Sequence, residues 1–470
     1  MSYLTYLLPL AAFVIWCAWQ WMPVFAEPRL EPPAEGEEAP KPKKPPFSFR
    51  HECGRLTRID GLAVLVICAV YALTAFLGLG DTSAPQSWCE FTERGRYVIV
   101  ELPENTELGK IRYYTGLHTG SYSLAISDDG ENWTELGAME QEYADLFKWL
   151  GFPADDMEDP PESMEGKYLR ITASDTLSLG EVALYDADGN LLDAGDFTYD
   201  AGAAPLFDEQ ELVPEAASYM NSSYFDEIYH ARTALEHIEN IYPYEITHPP
   251  LGKLIIGIGI RIFGMTPFGW RFMGTLFGVL MLPILYDFIK RLSGSTRISI
   301  CGTVIFAFDF MHFVQTRIAT IDTYSVFFIL LMYLFMWRFV SGGKWRYLAL
   351  SGLFFGLGAA SKWTCIYAGG GLAVIWLVYW ISRRRDEGFW RDFISNCAFC
   401  LVFFIAVPAA IYYVSYYYYG TAKGLEGGLG MFFTKDYADI VWHNQVYMWE
   451  YHSDLVSTHP YSSRWYQWLV

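Results

Sequence analysis

The chain has 470 residues, of which 52% are hydrophobic and 18% aromatic, and it carries a formal net charge of −20. Long apolar runs bounded by Lys and Arg clusters exclude an ordinary soluble globular protein and indicate an integral membrane one. The acidic balance argues against nucleic acid or anionic lipid as a partner.

Runs long enough to cross a hydrocarbon layer of about 30 Å lie at 3–25, 61–80, 268–289, 298–313, 323–340, 347–360, 364–381 and 393–416, which predicts eight spans. The first run lacks a positive n-region, so it reads as an uncleaved anchor rather than a signal peptide. The stretch 27–46 that follows has seven prolines and mixed charge, the composition of a disordered cytoplasmic tether. Lys and Arg collect at 41–58, 290–297, 344–346 and 383–391, and the positive-inside rule places those four loops in the cytoplasm.

Between 81 and 223 the composition turns soluble, with 30 Asp and Glu against 7 Lys and Arg. That balance should hold the insert off the membrane surface. RYVIVELP, GKIRYYTG, GSYSLAISDDGENWTEL, GKYLRITA and LGEVALYDADGNLL read as short alternating strands separated by Gly, Asp and Asn turns, so a β-sandwich is predicted. Most of the eight cysteines fall in predicted spans and imply no disulfide framework. The sequons at Asn132 and Asn221 matter only in a cell that glycosylates them.

The segment YFDEIYHARTALEHIENIYPYEITHPPLGK places Asp226, Glu227, His248 and Lys253 just outside the membrane. Adjacent helical positions differ by about 100°, so Asp226 and Glu227 cannot both point into one small site. One of them should face the chemistry while the other orients it or caps the local structure. The Pro249-Pro250 pair stops any preceding helix and starts the next. His248 then either donates to a phosphate oxygen or caps that helix, and Lys253 either neutralises phosphate or snorkels to the interface. The apolar segment 251–264 has only 14 residues, and letting it span would put the basic loop 290–297 outside, so it reads as interfacial or re-entrant. Arg271, Arg317, Asp322 and Lys362 then lie at the outer ends of spans, where ionisable groups are costly unless they pair or line a hydrated cavity. Tyr416 to Tyr419 read as an interfacial aromatic belt. No compact His, Cys and carboxylate cluster calls for a metal.

The blocks FDEIYH, THPPLGKLIIGIG, FGWRFMGTLFGVLMLPILYDFIKRL, TRIATIDTYSVFF, GLFFGLGAASKWTCIY and YHSDLVSTHPYSSRWYQW, in this order over 224–470, resemble the protein O-mannosyltransferase family. The resemblance implies a polytopic α-helical membrane protein of the GT-C glycosyltransferase type, multi-pass in the plasma membrane with an extracytoplasmic site. It implies transfer of mannose or a similar hexose, with inversion, from polyprenyl-phosphate-mannose to Ser or Thr hydroxyls of an acceptor protein or peptide. Asp226 of the FDE motif is then the base, with Glu227 beside it as a catalytic candidate. Arg271 is the first choice for the carrier phosphate, with His248 and Lys253 behind it. Arg317, Asp322, Lys362 and His459 match later family positions as substrate-binding candidates, although an intramembrane ion pair would explain Arg317 and Asp322 as well.

The run SLAISDDGENWTEL with KYLRITAS and GEVALYDADG, within 87–192, resembles a discoidin or coagulation-factor type C domain, a galactose-binding-like jelly roll. Such domains imply a possible glycan partner and a possible structural calcium, or a plain spacer. Two features depart from the family: the sandwich precedes the FDE motif, where a short loop is usual, and relatives continue beyond WYQWLV. The organisation expected is an anchor and linker at 1–58, the first catalytic span at 59–80, the sandwich at 81–222 and the transferase module at 223–470. A same-fold enzyme acting on a lipid or wall polymer, and a glycan receptor or transporter, are the alternatives; charges gathered at the outer ends rather than mid-membrane favour the enzymes.

Overall fold

The computed structural model describes residues 54–455 apart from 104–105 and 155–156. The expected anchor at 3–25, the linker at 27–46 and His459 therefore lie outside the described residues.

The first described helix, α1 (Arg58–Phe76), starts in a capping box: the Thr57 side chain accepts from the Asp60 amide, and the Asp60 carboxylate accepts from the Thr57 amide at 2.7 Å. The same buried Asp60 accepts from Tyr286 Oη at 2.7 Å and pairs with Lys290 at 3.2 Å, so one cap also fastens α1 to a later helix. After the insert come two short helices, α2 (Glu227–Ile238) and α3 (Leu251–Phe263), then α4 (Pro267–Ser293). At 13 residues α3 is too short to span, as its length in the sequence predicts. It lies directly on the start of α4: a Cβ on Gly259 would sit 2.3 Å from the Gly269 carbonyl oxygen, so only glycine allows the two backbones to meet.

The run expected to span at 298–313 is broken into α5 (Thr296–Ala307) and α6 (Phe310–Thr316), bent by 56°. The cause is Asp309, whose carboxylate accepts from the His312 amide at 3.1 Å and starts a new helix. Then follow α7 (Asp322–Gly342), α8 (Trp345–Ser361), α9 (Thr364–Ser382) and a long segment made of α10 (Phe389–Leu401), a π turn at Val402–Ala406, α11 (Val407–Ser415) and α12 (Tyr417–Ala422). Pro408, without an amide donor, sits where the π turn gives way to α11. Five helices are long and apolar enough to cross a membrane among the described residues, six if the bent pair counts as one. With the 17-residue α8 also crossing, Lys290, Arg297, Lys344, Arg346 and Arg383 share one end of the bundle. The insert, α2, α3, Asp322 and Lys362 share the other, as does the last described helix, α13 (Lys435–Asp454).

The insert is an antiparallel two-sheet sandwich with strand orders β1-β8-β3-β6 and β5-β4-β7-β2-β9. Its strands are β1 (Cys89–Phe91), β2 (Tyr97–Glu101), β3 (Leu108–Thr115), β4 (Gly120–Ser127), β5 (Thr134–Gln141), β6 (Trp149–Phe152), β7 (Tyr168–Ala173), β8 (Leu177–Asp186) and β9 (Thr198–Tyr199). The alternating segments of the sequence become β2 to β5, β7 and β8; β1, β6 and β9 are too short to carry a period. Despite its charge the sandwich is fixed to the helical module. Its Tyr114, Leu146, Phe147 and Trp149 share one core with Ile260, Met265 and Trp270 of the bundle. Gln86 seals the edge, donating to the Met265 carbonyl at 3.1 Å and accepting from the Met265 amide at 3.0 Å.

Tyr416 and Tyr419 are not an interfacial belt: both are buried, packed with Tyr437, Val441 and Met448 of α13.

Small residues also set the packing of α8 against the π turn. A Cβ on Gly352 would lie 2.2 Å from the Phe403 carbonyl oxygen, and one on Gly356 2.8 Å from Pro408 Cα. Gly352→Leu should therefore force these segments apart and cost about 1–3 kcal/mol, read as a lowered thermal midpoint of the purified protein.

Candidate active site

The chain reaches the acidic motif through a tight reversal. Phe225, 60% exposed, sits at φ +53°, the left-handed region that non-glycine residues rarely occupy. Asp226 then turns helical, and its carbonyl accepts from the Tyr229 and His230 amides at 3.1 Å each. What holds the reversal is Glu227. Its Oε2 accepts from the Tyr224 amide at 2.8 Å and from Arg271 Nη2 at 2.7 Å, and its Oε1 accepts from Arg271 Nε at 2.7 Å and from the Ala319 amide at 3.1 Å.

Glu227 and Arg271 are both 0% exposed. Arg271 spends its other donors on the carbonyls of Leu79, Tyr219 and Ser222, and its guanidinium lies 3.7 Å from the centre of the Tyr219 ring. A guanidinium so saturated has nothing to offer a phosphate, which corrects the expectation for Arg271. Glu227, equally buried, is committed to the same pair.

A second cluster forms where the segment between α2 and α3 folds back. Lys253, fully buried on α3, pairs with Glu245 and donates to the carbonyls of Glu245 and His248 at 2.8 and 3.1 Å. It neither snorkels nor faces outward. Lys253 and His248 hold the Glu245 carboxyl well below its usual range against the opposing effect of burial. His248 lies 3.1 Å from Glu245 through Nδ1 and 2.9 Å from Thr247 Oγ1; it does not cap α3, whose N-terminus has no side-chain cap. Its ring stands edge-on to those of His230 and His452, with centroids 6.0 and 5.4 Å apart. His452, from the end of α13, lies 2.9 Å from the Thr247 carbonyl through Nε2.

Two span ends complete the site. Asp322 opens α7, where the helix dipole favours a carboxylate, and Lys362 ends α8 and reaches it at 2.7 and 2.9 Å. Asp226 lies within electrostatic reach of this pair. Burial pushes its carboxyl above the usual range, the Asp322 charge pushes it further, and Lys362 and His248 pull it back. Among the described residues the Asp226 side chain has no hydrogen bond and no ion pair.

Arg317 stands apart. It donates to the carbonyls of Ala75, Leu77 and Gly78 at 3.0, 3.0 and 2.7 Å and so caps the C-terminal end of α1, rather than pairing with Asp322. The structure thus gathers Asp226, His248, Asp322 and Lys362, with Glu227 and Arg271 behind them and Lys253 below. Sequence reasoning missed Glu245, whose only signal was its position three residues before His248. It also missed the buried His230, which burial pushes down to about 3.

In the sandwich, Glu181, Asp208 and Glu209 bring ligand oxygens within 4.8 Å of one another. Burial pushes the Glu181 carboxyl up to about 8, and its oxygens already accept from the Glu209 amide and Gln210 Nε2. Calcium takes six to eight oxygens, so this trio would supply part of a shell only.

Residues 247–412 match the family model described as dolichyl-phosphate-mannose-protein mannosyltransferase. The chain is 24% identical over 339 residues to a polyprenol-phosphate-mannose–protein mannosyltransferase of Mycobacterium tuberculosis, covering 62% of this chain and 60% of the relative. It is 26% identical over 357 residues to the protein of the same name from Corynebacterium glutamicum, covering 66% of each. The chain thus spans about 60% of the length of the first of these relatives. A solved structure of the S. cerevisiae protein O-mannosyltransferase Pmt1-Pmt2 complex bound to the sugar donor matches 42% of this chain and 30% of that one, at 22% identity and a TM-score of 0.38.

Removing one partner of a buried pair leaves the other charge unpaired. Arg271→Met should therefore destabilise the protein by about 3–5 kcal/mol, visible as a lowered thermal midpoint. A variant as stable as the parent would show the pair to be dispensable.

Proposed function

We propose, from the match of residues 247–412 to the mannosyltransferase family model, that the membrane module is a protein O-mannosyltransferase and that this chain moves mannose from polyprenyl-phosphate-mannose to Ser or Thr hydroxyls of proteins. We assign the reaction to the end of the bundle that carries Asp226; the basic loops gathered at the opposite end support an outer-face site, which we take to be that of the plasma membrane. The relatives' names support donor and acceptor alike.

One observation carries the assignment of the base. Of the four carboxylates gathered in this cluster, Glu227, Glu245 and Asp322 are each committed to an ion pair, and among the described residues Asp226 has none. In an inverting transfer the acceptor hydroxyl attacks the anomeric carbon from the face opposite the phosphate. Its proton passes to the Asp226 carboxylate as the new C–O bond forms, and the bond from carbon to the phosphate oxygen breaks. The leaving phosphate needs positive charge but no strong acid. Lys362, half-buried and held by Asp322, is the cation next to Asp226, with His248 beside it. This reading moves the phosphate contact from Arg271 to Lys362 and leaves Arg271, Glu227 and Lys253 as positioning residues. An apolar cavity of about 250 Å³, lined by Met336, Phe355, Gly369, Leu372, Trp376 and Phe404, lies along α9 below Lys362 and suits part of a prenyl chain.

Asp226→Asn should lower transfer from polyprenyl-phosphate-mannose to a Ser/Thr peptide by roughly 10²- to 10⁴-fold while donor binding persists; unchanged turnover would remove Asp226 from the mechanism. The pH profile gives a second check. A base works ionised, so activity is lost as pH falls through the Asp226 pKa, which lies above the usual Asp range. Lys362→Met removes the charge that lowers this pKa, so the acid limb should move to higher pH. Asp322→Asn removes a charge that raises it, so the limb should move to lower pH.

A further inference from the structure

The sandwich contributes to the surroundings of Asp226 itself. Its loop between β5 and β6 reaches the acidic motif, where Tyr143 stacks on Tyr229 with ring centroids 6.2 Å apart and an interplanar angle of 23°. Tyr229 lies one helical turn beyond Asp226 on the same side of α2, and Tyr143 is 47% exposed. Tyr224, Phe225 and Tyr244, also exposed, extend the same rim.

The loop is held firmly. Phe147 is buried in the shared core, its carbonyl accepts from the Ser223 amide at 2.9 Å, and the Leu146 carbonyl accepts from Ser223 Oγ at 2.7 Å. The Trp149 amide donates to Ser222 Oγ at 3.2 Å. Ser222 and Ser223 lead directly into the reversal at Phe225, so platform and base share one mounting.

Charge divides the two sides of the base. Lys362 and His248 act on Asp226, whereas the groups named as acting on Tyr229 are Tyr143, Asp226 and Tyr244. Around Tyr143, Glu142 and Asp145 of the loop lie close enough to Glu140 at the end of β5 to influence it, and Lys148 is the one basic residue of the loop. A carrier phosphate is repelled there, and an attacking acceptor must enter opposite the phosphate.

We propose that the sandwich supplies the acceptor side of the catalytic cleft: Tyr143 and Tyr229 form an aromatic platform for the polypeptide flanking the target hydroxyl, and the neighbouring carboxylates favour neutral or basic flanks over acidic ones. This rests on the mannosyltransferase reading and deepens it, since it assigns acceptor selection to a domain outside the matched family segment.

The test uses the full-length protein in detergent, polyprenyl-phosphate-mannose, and three peptides with one Thr flanked by Lys, Gln or Glu. Tyr143→Ala should raise the peptide KM roughly three- to tenfold, leaving the donor KM and the rate at saturating peptide unchanged; Tyr143→Phe should restore the KM. Glu142→Lys should shift preference from the Lys-flanked towards the Glu-flanked peptide. An unchanged peptide KM in Tyr143→Ala, or a change in donor KM instead, overturns the platform. No transfer to any peptide by the unaltered protein overturns the mannosyltransferase reading, and the platform with it.

Discussion

The buried pair of Glu227 and Arg271 is the contact on which the remainder of the site depends. Through it the end of α1, the segment leading out of the sandwich, the start of α2, the first turn of α4 and the backbone at Ala319 converge on two side chains. Taking both charges out of water is expensive, and only full satisfaction of donors and acceptors offsets it. That requirement gives the pair its specificity. A shift of any one segment would leave a buried charge short of a partner, so the preceding residue, Asp226, inherits a fixed position with no side-chain hydrogen bond among the described residues.

To act as the proposed base, Asp226 must be oriented yet uncommitted. A carboxylate that accepted several hydrogen bonds would be a weaker base, because those bonds stabilise its charged form. The fold meets both needs by dividing the work between neighbours a helical step of about 100° apart: Glu227 takes the hydrogen bonds and Asp226 stays open. Glu245 does for His248 what Glu227 does for Asp226, with Lys253 as its buried counter-ion.

Much of this was legible in the sequence. Hydropathy located the five long apolar helices, the 14-residue length of 251–264 marked a helix too short to cross, and period-two patterning found the principal strands. That Asp226 and Glu227 point apart followed from helix geometry alone. Partner choice did not follow. Arg271 lies 44 residues from Glu227, Lys362 lies 40 from Asp322, and nothing local distinguishes a lysine that pairs with a carboxylate from one that awaits a phosphate. Tyr416 and Tyr419 misled for the same reason: an aromatic run at a span end looks alike whether it meets lipid or the face of α13. Nor does an acidic composition reveal that a sandwich keeps an apolar patch, and it is this patch that brings Tyr143 to the motif.

The cap that Arg317 places on α1 bears on how the protein is made. The carbonyls of Ala75, Leu77 and Gly78 receive their donors from a residue 239 to 242 positions later in the chain. At about 5–20 residues per second, synthesis delivers that arginine roughly ten seconds to a minute after α1 has emerged. During this interval the whole sandwich is synthesised, and the exposed end of α1 depends on water or lipid headgroups for its hydrogen bonds. The first described helix thus keeps an open end until α6 arrives, and its seating records that arrival.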